Sequence, residues 1–100
     1  MRRGEIWRYQ PALGRTGQST LRLIVSASAI NEAPLPMVLA VHVLDTDPGG
    51  LLAVPVGHHG WASALTIEAV TRTRLVRHVD TADDDTMEGV ALALRAAQDL

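Results

Sequence analysis

Met37 to Leu44 reads MVLAVHVL, a nearly continuous apolar run interrupted only by His42. A run of this length bounded by turn residues predicts a strand buried on both faces. Downstream, DTDPGG (Asp45 to Gly50) is a turn, because Pro and Gly supply the restricted φ values a reversal needs. Upstream, Asn31 to Pro36 is a connector marked by two prolines. Before it, LRLIVS (Leu21 to Ser26) predicts a second strand, with Leu21, Leu23 and Val25 on one face and Arg22, Ile24 and Ser26 on the other.

Working outward, Glu5 to Tyr9 alternates after Gly4 and predicts the first strand, followed by a polar loop from Gln10 to Thr20. LLAVPV after the turn is an edge or terminal strand, since Pro55 cannot donate to a ladder. GHHG (Gly57 to Gly60) punctuates, and ALTIEAV (Ala64 to Val70) and RTRLVRHV (Arg72 to Val79) complete the strands. The period then changes. Met87, Val90, Ala91, Leu94 and Ala97 form one apolar stripe at helical spacing. Asp83, Asp84 and Asp85 suit the start of that helix and Arg95 its end. Five or six short strands followed by one helix predict a mostly β domain, a small barrel or twisted sheet packed by the helix. At 100 residues, a single domain spanning 1–100 is expected.

Composition narrows the function. Without cysteine, disulfides and thiolate metal sites are excluded and a reducing, cytoplasmic compartment is expected. No apolar run approaches the roughly 20 residues of a membrane helix, and Arg2 and Arg3 are not followed by the apolar segment of a signal peptide. Residues 1–79 hold eight Arg against five acids, while residues 80–100 hold one Arg against six. The positive excess of the body suits phosphate contacts without being the strong basic footprint of a dedicated nucleic-acid protein. His58 and His59 have no third ligand at recognised spacing, so neither a metal nor another cofactor is expected. Trp7 and Trp61 are too few for a single-strand stacking platform, and Trp7 is expected to cap the aliphatic core.

Several local strings resemble the MazF/PemK (Kid) toxins of type II toxin–antitoxin systems. RRGEIW (Arg2 to Trp7) is similar to that family's opening strand, and the Gly14–Thr20 loop, with Gln18 and Ser19, to its Gly/Ser/Gln-rich loop. LIVSASAIN (Leu23 to Asn31) resembles its strand-and-turn, VLAVHV its central strand, SALTIEAV the strand leading to a D/E-Q-I-R-T string, and TMEGVALAL the closing helix. The resemblance implies an SH3-like small barrel with a C-terminal helix, MazF/CcdB-like in fold. It also implies a homodimer, metal-independent cleavage of single-stranded RNA, and neutralisation by a cognate antitoxin peptide. Gyrase poisoning, as in the fold-related CcdB toxins, is set aside because the chain ends Gln98-Asp99-Leu100 rather than Trp-Gly-Ile.

The family's chemistry maps imperfectly. Its Arg-Pro pair falls on Thr20-Leu21, with Arg22 two residues on and therefore on the same strand face. Its strand-closing Thr falls on Leu44, with Thr46 two residues beyond, and its E-Q-I-R-T string reads Glu68-Ala69-Val70-Thr71-Arg72. The catalytic candidates are therefore Arg22 for the phosphorane charge, His42 for proton transfer, Thr46 and Thr20. The RNA-binding candidates are Arg15, Gln18, Ser19, Glu68, Thr71 and Arg72. Each has a plainer reading: His42 as a packed sheet histidine, Arg22 as a solvated strand charge, Thr46 as a turn residue. The departures leave open a MazF-fold module that has lost catalysis and acts by binding a protein or RNA partner.

Overall fold

The computed structural model describes residues 1–10 and 20–99. The strands are β1 (Glu5–Tyr9), β2 (Leu21–Ile24), β3 (Met37–Leu44), β4 (Ala53–Pro55), β5 (Trp61–Ser63), β6 (Glu68–Thr71) and β7 (Leu75–Thr81). A five-residue helix α1 (Ser28–Glu32) joins β2 to β3, and a long helix α2 (Asp84–Gln98) follows β7. The fold is mostly antiparallel β with a C-terminal helix, as the pattern predicts. The strands form one sheet in the order β4-β5-β3-β2-β1-β7, with β6 pairing on β3 beside β5. Across the sheet, His59 in the β4–β5 turn reaches Asp80 on β7 at 2.8 Å.

Period-two alternation assigns the two faces. On the helix side, Ile6, Leu23, Val41 and Val43 pack with Val56, Ala62, Met87 and Val90. On the other side, Ile24, Val38, Ala40, Val70 and Leu75 form a second cluster, edged by Met1, Trp7 and Tyr9. Two irregularities in the β1–β7 register, between Ile6 and Trp7 and between Arg8 and Tyr9, bring Trp7 opposite His78 and Tyr9 opposite Leu75. Without these bulges a one-residue slip would turn the paired side chains to opposite faces. Asp83 caps α2 by accepting a 2.8 Å hydrogen bond from the Thr86 N–H. At Gly60 (φ +127°) a Cβ would lie 2.0 Å from the Leu44 carbonyl oxygen, so the β5 entry requires glycine.

The structure corrects several strand bounds and adds elements the sequence pattern leaves unassigned. The run Ala64–Val70 is not one strand: a 3-10 turn (Ala64–Thr66) precedes β6. A second 3-10 turn (Arg72–Arg74) separates β6 from β7, so that strand starts at Leu75 and not at Arg72. Trp61–Ser63, unassigned by the sequence pattern, pairs with both β3 and β4 as β5. Ser28–Glu32 is helical because the Ala27 carbonyl collects the N–H groups of Ile30 and Asn31, while Asn31 Nδ2 donates to the Ser26 carbonyl at 2.8 Å. Finally, β3 is buried on both faces only toward its C-terminal half; Met37 and Leu39 are exposed.

Candidate functional site

Strand β3 changes partner along its length. Val43 and Leu44 pair with β5, while Met37 to Ala40 pair with β6. His42 sits at the seam between the two partners, where its backbone N–H finds the Thr66 hydroxyl at 2.9 Å. Thr66 in turn donates to the Ser63 carbonyl at 2.7 Å, so the 3-10 turn fills the missing stretch of ladder. On its other edge β3 pairs with β2, which sets Arg22 directly opposite His42. β6 begins at Glu68, opposite Ala40. Register alone therefore brings Arg22, His42 and Glu68 onto the same face.

The three side chains meet at one oxygen. Arg22 Nε donates to Glu68 Oε1 at 2.9 Å, and His42 Nε2 lies 2.9 Å from the same atom. Burial grades outward: the side chains of Arg22, His42 and Glu68 are 2, 25 and 40% exposed. Arg22 is thus a buried charge and not a solvated one. Its guanidinium carbon sits 4.3 Å over the Tyr9 ring centroid, and Nη1 donates to the Leu21 carbonyl at 3.0 Å. A buried guanidinium is tolerated only when its donors are matched in this way.

Burial and the positive charge of Arg22 hold the His42 pKa below its ordinary value, against the opposing pull of Glu68. At neutral pH the imidazole is therefore largely uncharged. A carboxylate only accepts, so Glu68 fixes the tautomer with the proton on Nε2 and leaves Nδ1 with a lone pair. Such an assembly can take a proton at Nδ1 beside a fixed positive charge. It is the arrangement of an orienting carboxylate, a neutral imidazole base and a cation below them.

The remaining candidates lie apart. Thr20 is exposed where β2 begins, its carbonyl accepting from the Tyr9 N–H at 2.6 Å. Thr46 is exposed in the turn after β3. Thr71 pairs with Met37 at the opposite end of β3 from His42. Arg72 is next to it, roughly 20 Å along the strand from His42 at about 3.3 Å per residue. The Arg72 guanidinium donates to the carbonyls of Leu35 (2.6 Å), Ile30 (2.9 Å) and Ala33 (3.2 Å), clipping the α1 connector to the sheet. Arg15, Gln18 and Ser19 lie outside the described residues.

Three neighbours had no signal in the sequence. Tyr9 under Arg22, Thr66 behind His42 and His78 beside Trp7 all depend on strand register. Two cavities, of about 200 and 370 Å³, flank His59, and neither is lined by Arg22, His42 or Glu68. Among the described residues no group of three or more His, Cys, Asp or Glu is arranged to hold a metal ion. No helix of the described residues is long and apolar enough to cross a membrane.

Comparison with known proteins gives concordant results. A family model, "PemK-like, MazF-like toxin of type II toxin-antitoxin system", matches residues 2–97. An endoribonuclease from a mycobacterial species superposes with a TM-score of 0.84 at 26% identity, covering 100% of this chain and 92% of that one. A mycobacterial endoribonuclease in complex with its cognate antitoxin gives 0.87 at 27% identity, covering 100% and 96%. MazF from Deinococcus radiodurans shares the fold, with a TM-score of 0.77 at 18% identity over 99% and 96% of the two chains. Among curated proteins, none matches the chain.

Proposed function

The chain belongs to the PemK-like, MazF-like toxin family of type II toxin–antitoxin systems, and on that footing we propose that it is a metal-independent endoribonuclease acting on single-stranded RNA. The observation that carries this reading is the shared Glu68 oxygen, bonded at 2.9 Å by both buried Arg22 and half-buried His42. Where this chain departs from the family's Arg-Pro and Thr positions, it offers a different complete set of groups for the same reaction.

His42 Nδ1 takes the proton of the ribose 2′-hydroxyl. The oxygen attacks the adjacent phosphorus, an O2′–P bond forms, and the P–O5′ bond breaks. The leaving 5′-oxygen is protonated by the imidazolium just formed, and the products are a 2′,3′-cyclic phosphate and a 5′-hydroxyl. Glu68 holds the imidazole and stabilises its protonated form. Arg22 is a positioning residue: it anchors Glu68 and supplies buried positive charge beneath the phosphorane, where a low local dielectric makes that charge effective. Thr20 and Thr46 remain proposed catalytic residues, and Arg15, Gln18, Ser19, Thr71 and Arg72 remain proposed RNA contacts.

The protein acts in the cytoplasm as a single-domain homodimer, restrained by an antitoxin peptide. The antitoxin-bound mycobacterial neighbour and the exposed Leu35, Met37 and Leu39 support this assembly. Purified protein incubated with mixed-sequence RNA in chelator should give discrete cuts ending in cyclic phosphate. His42→Ala should slow them by about 10²- to 10⁴-fold, the usual contribution of a positioned acid–base group. Intact RNA at high enzyme concentration, with tight partner binding retained, would favour the non-catalytic binding module.

A further inference from the structure

The polar face does not end at Arg22. Register continues the row across two more strands: Arg22 lies opposite Trp7, and Trp7 opposite His78. The Trp7 and His78 rings stack, with centroids 5.5 Å apart and planes 22° from parallel. Each ring is pinned from the side. The indole Nε1 donates to Glu5 Oε1 at 3.0 Å, and the Arg2 N–H donates to the same oxygen at 3.1 Å. Burial raises the Glu5 pKa, but these two hydrogen bonds together with the charges of His78 and the N-terminus hold the carboxyl below its ordinary value. His78 Nε2 lies 2.9 Å from the Asp80 carbonyl and 3.0 Å from the Thr81 hydroxyl. Trp7 rests partly buried against the second core cluster, while His78 is exposed.

We infer that the Trp7–His78 stack is a nucleobase subsite, holding one base of the RNA beside the scissile phosphate. Aromatic rings fixed in orientation and partly open to solvent are what unstacked bases pack against. Pinning both rings beforehand removes rotamer entropy that binding would otherwise have to freeze. Position supports the same ligand. At about 4.8 Å per strand, the stack lies roughly 10 to 15 Å across the sheet from His42. That is the scale separating a reacting phosphate from the base of a nearby nucleotide. A π face accepts any base, so the subsite orders the strand more than it reads its sequence.

This inference rests on the ribonuclease reading for its ligand, and the test separates the two. In a Trp61→Phe background, Trp7 is the sole indole reporter. A 2′-deoxy oligonucleotide, which lacks the attacking hydroxyl and cannot be cut, should quench its emission on binding. An abasic strand of the same length and charge should bind about ten-fold more weakly without quenching. His78→Ala should lose a similar factor for the full strand only, and His78→Phe, which keeps a ring, should restore it. Equal affinity for full and abasic strands, or an unaltered His78→Ala, overturns the subsite. Quenching by an acidic antitoxin peptide but by no oligonucleotide assigns the surface to a protein and also overturns it. Cleavage is read separately on RNA: uncut RNA with preserved quenching sinks the ribonuclease reading alone.

Discussion

On the helix side of the sheet, Ile6, Leu23, Val41 and Val43 meet Met87 and Val90, and every contact is aliphatic. On the opposite side, the intervening positions of the same three strands present Trp7, Arg22 and His42 in one row. The first face is a core whose content is interchangeable within limits of volume. The second is a hydrogen-bonded assembly in which each group fixes the next, from the Tyr9 ring under Arg22, through Glu68, to His42. Among the described residues no buried side-chain polar atom lacks a partner, so the polar row lies over the interior without leaving an unmatched group there. The polar row shares its side of the sheet with the aliphatic cluster of Ile24, Val38, Ala40, Val70 and Leu75, so packing supports both faces and the proposed chemistry lies on one.

Substitutions on each face should behave differently. Leu23 is fully buried, and Leu23→Ala should cost about 3 kcal/mol of unfolding free energy in urea denaturation, the usual range for a cavity in an aliphatic core. Its cleavage rate per folded molecule should stay near that of the parent. On the polar face the order of losses is the informative result. Glu68→Ala removes the carboxylate that partners the buried Arg22 charge and should cost about 2 kcal/mol, moderated because Glu68 is partly exposed. Arg22→Met removes that charge at similar volume and should cost about 1 kcal/mol while still slowing cleavage. Equal losses from both variants would mean that Arg22 contributes through packing and not through its charge.

The two faces also differed in how far the sequence revealed them. Alternation in Glu5–Tyr9 and Leu21–Ser26, the apolar run of β3 and the helical period of Met87, Val90 and Leu94 disclose the strands, the helix and the aliphatic core. These signals are local. The meeting of Arg22, His42 and Glu68 is not, because it depends on a strand register spanning 46 residues. Residue type singles out each of the three, but only the folded chain shows Glu68 bonded to both Arg22 and His42. The errors have physical causes as well. Ala64–Val70 keeps a strand-like composition, but the chain must cross from β5 to β6 there and uses a 3-10 turn to do so. Arg72–Val79 likewise has strand-like composition, but a 3-10 turn over Arg72–Arg74 delays β7 to Leu75.

In the proposed mechanism a neutral His42, held by Glu68 above a buried cation, does the cutting. The pH dependence of RNA cleavage in chelator tests it most directly. Activity needs the unprotonated imidazole, so the rate should fall as pH drops through a pKa below the ordinary histidine value of 6.5. Glu68 raises that pKa, so Glu68→Gln should move the acid limb to still lower pH and reduce the plateau rate. A profile with no acid limb in this range, or one that Glu68→Gln leaves in place, would contradict the assignment.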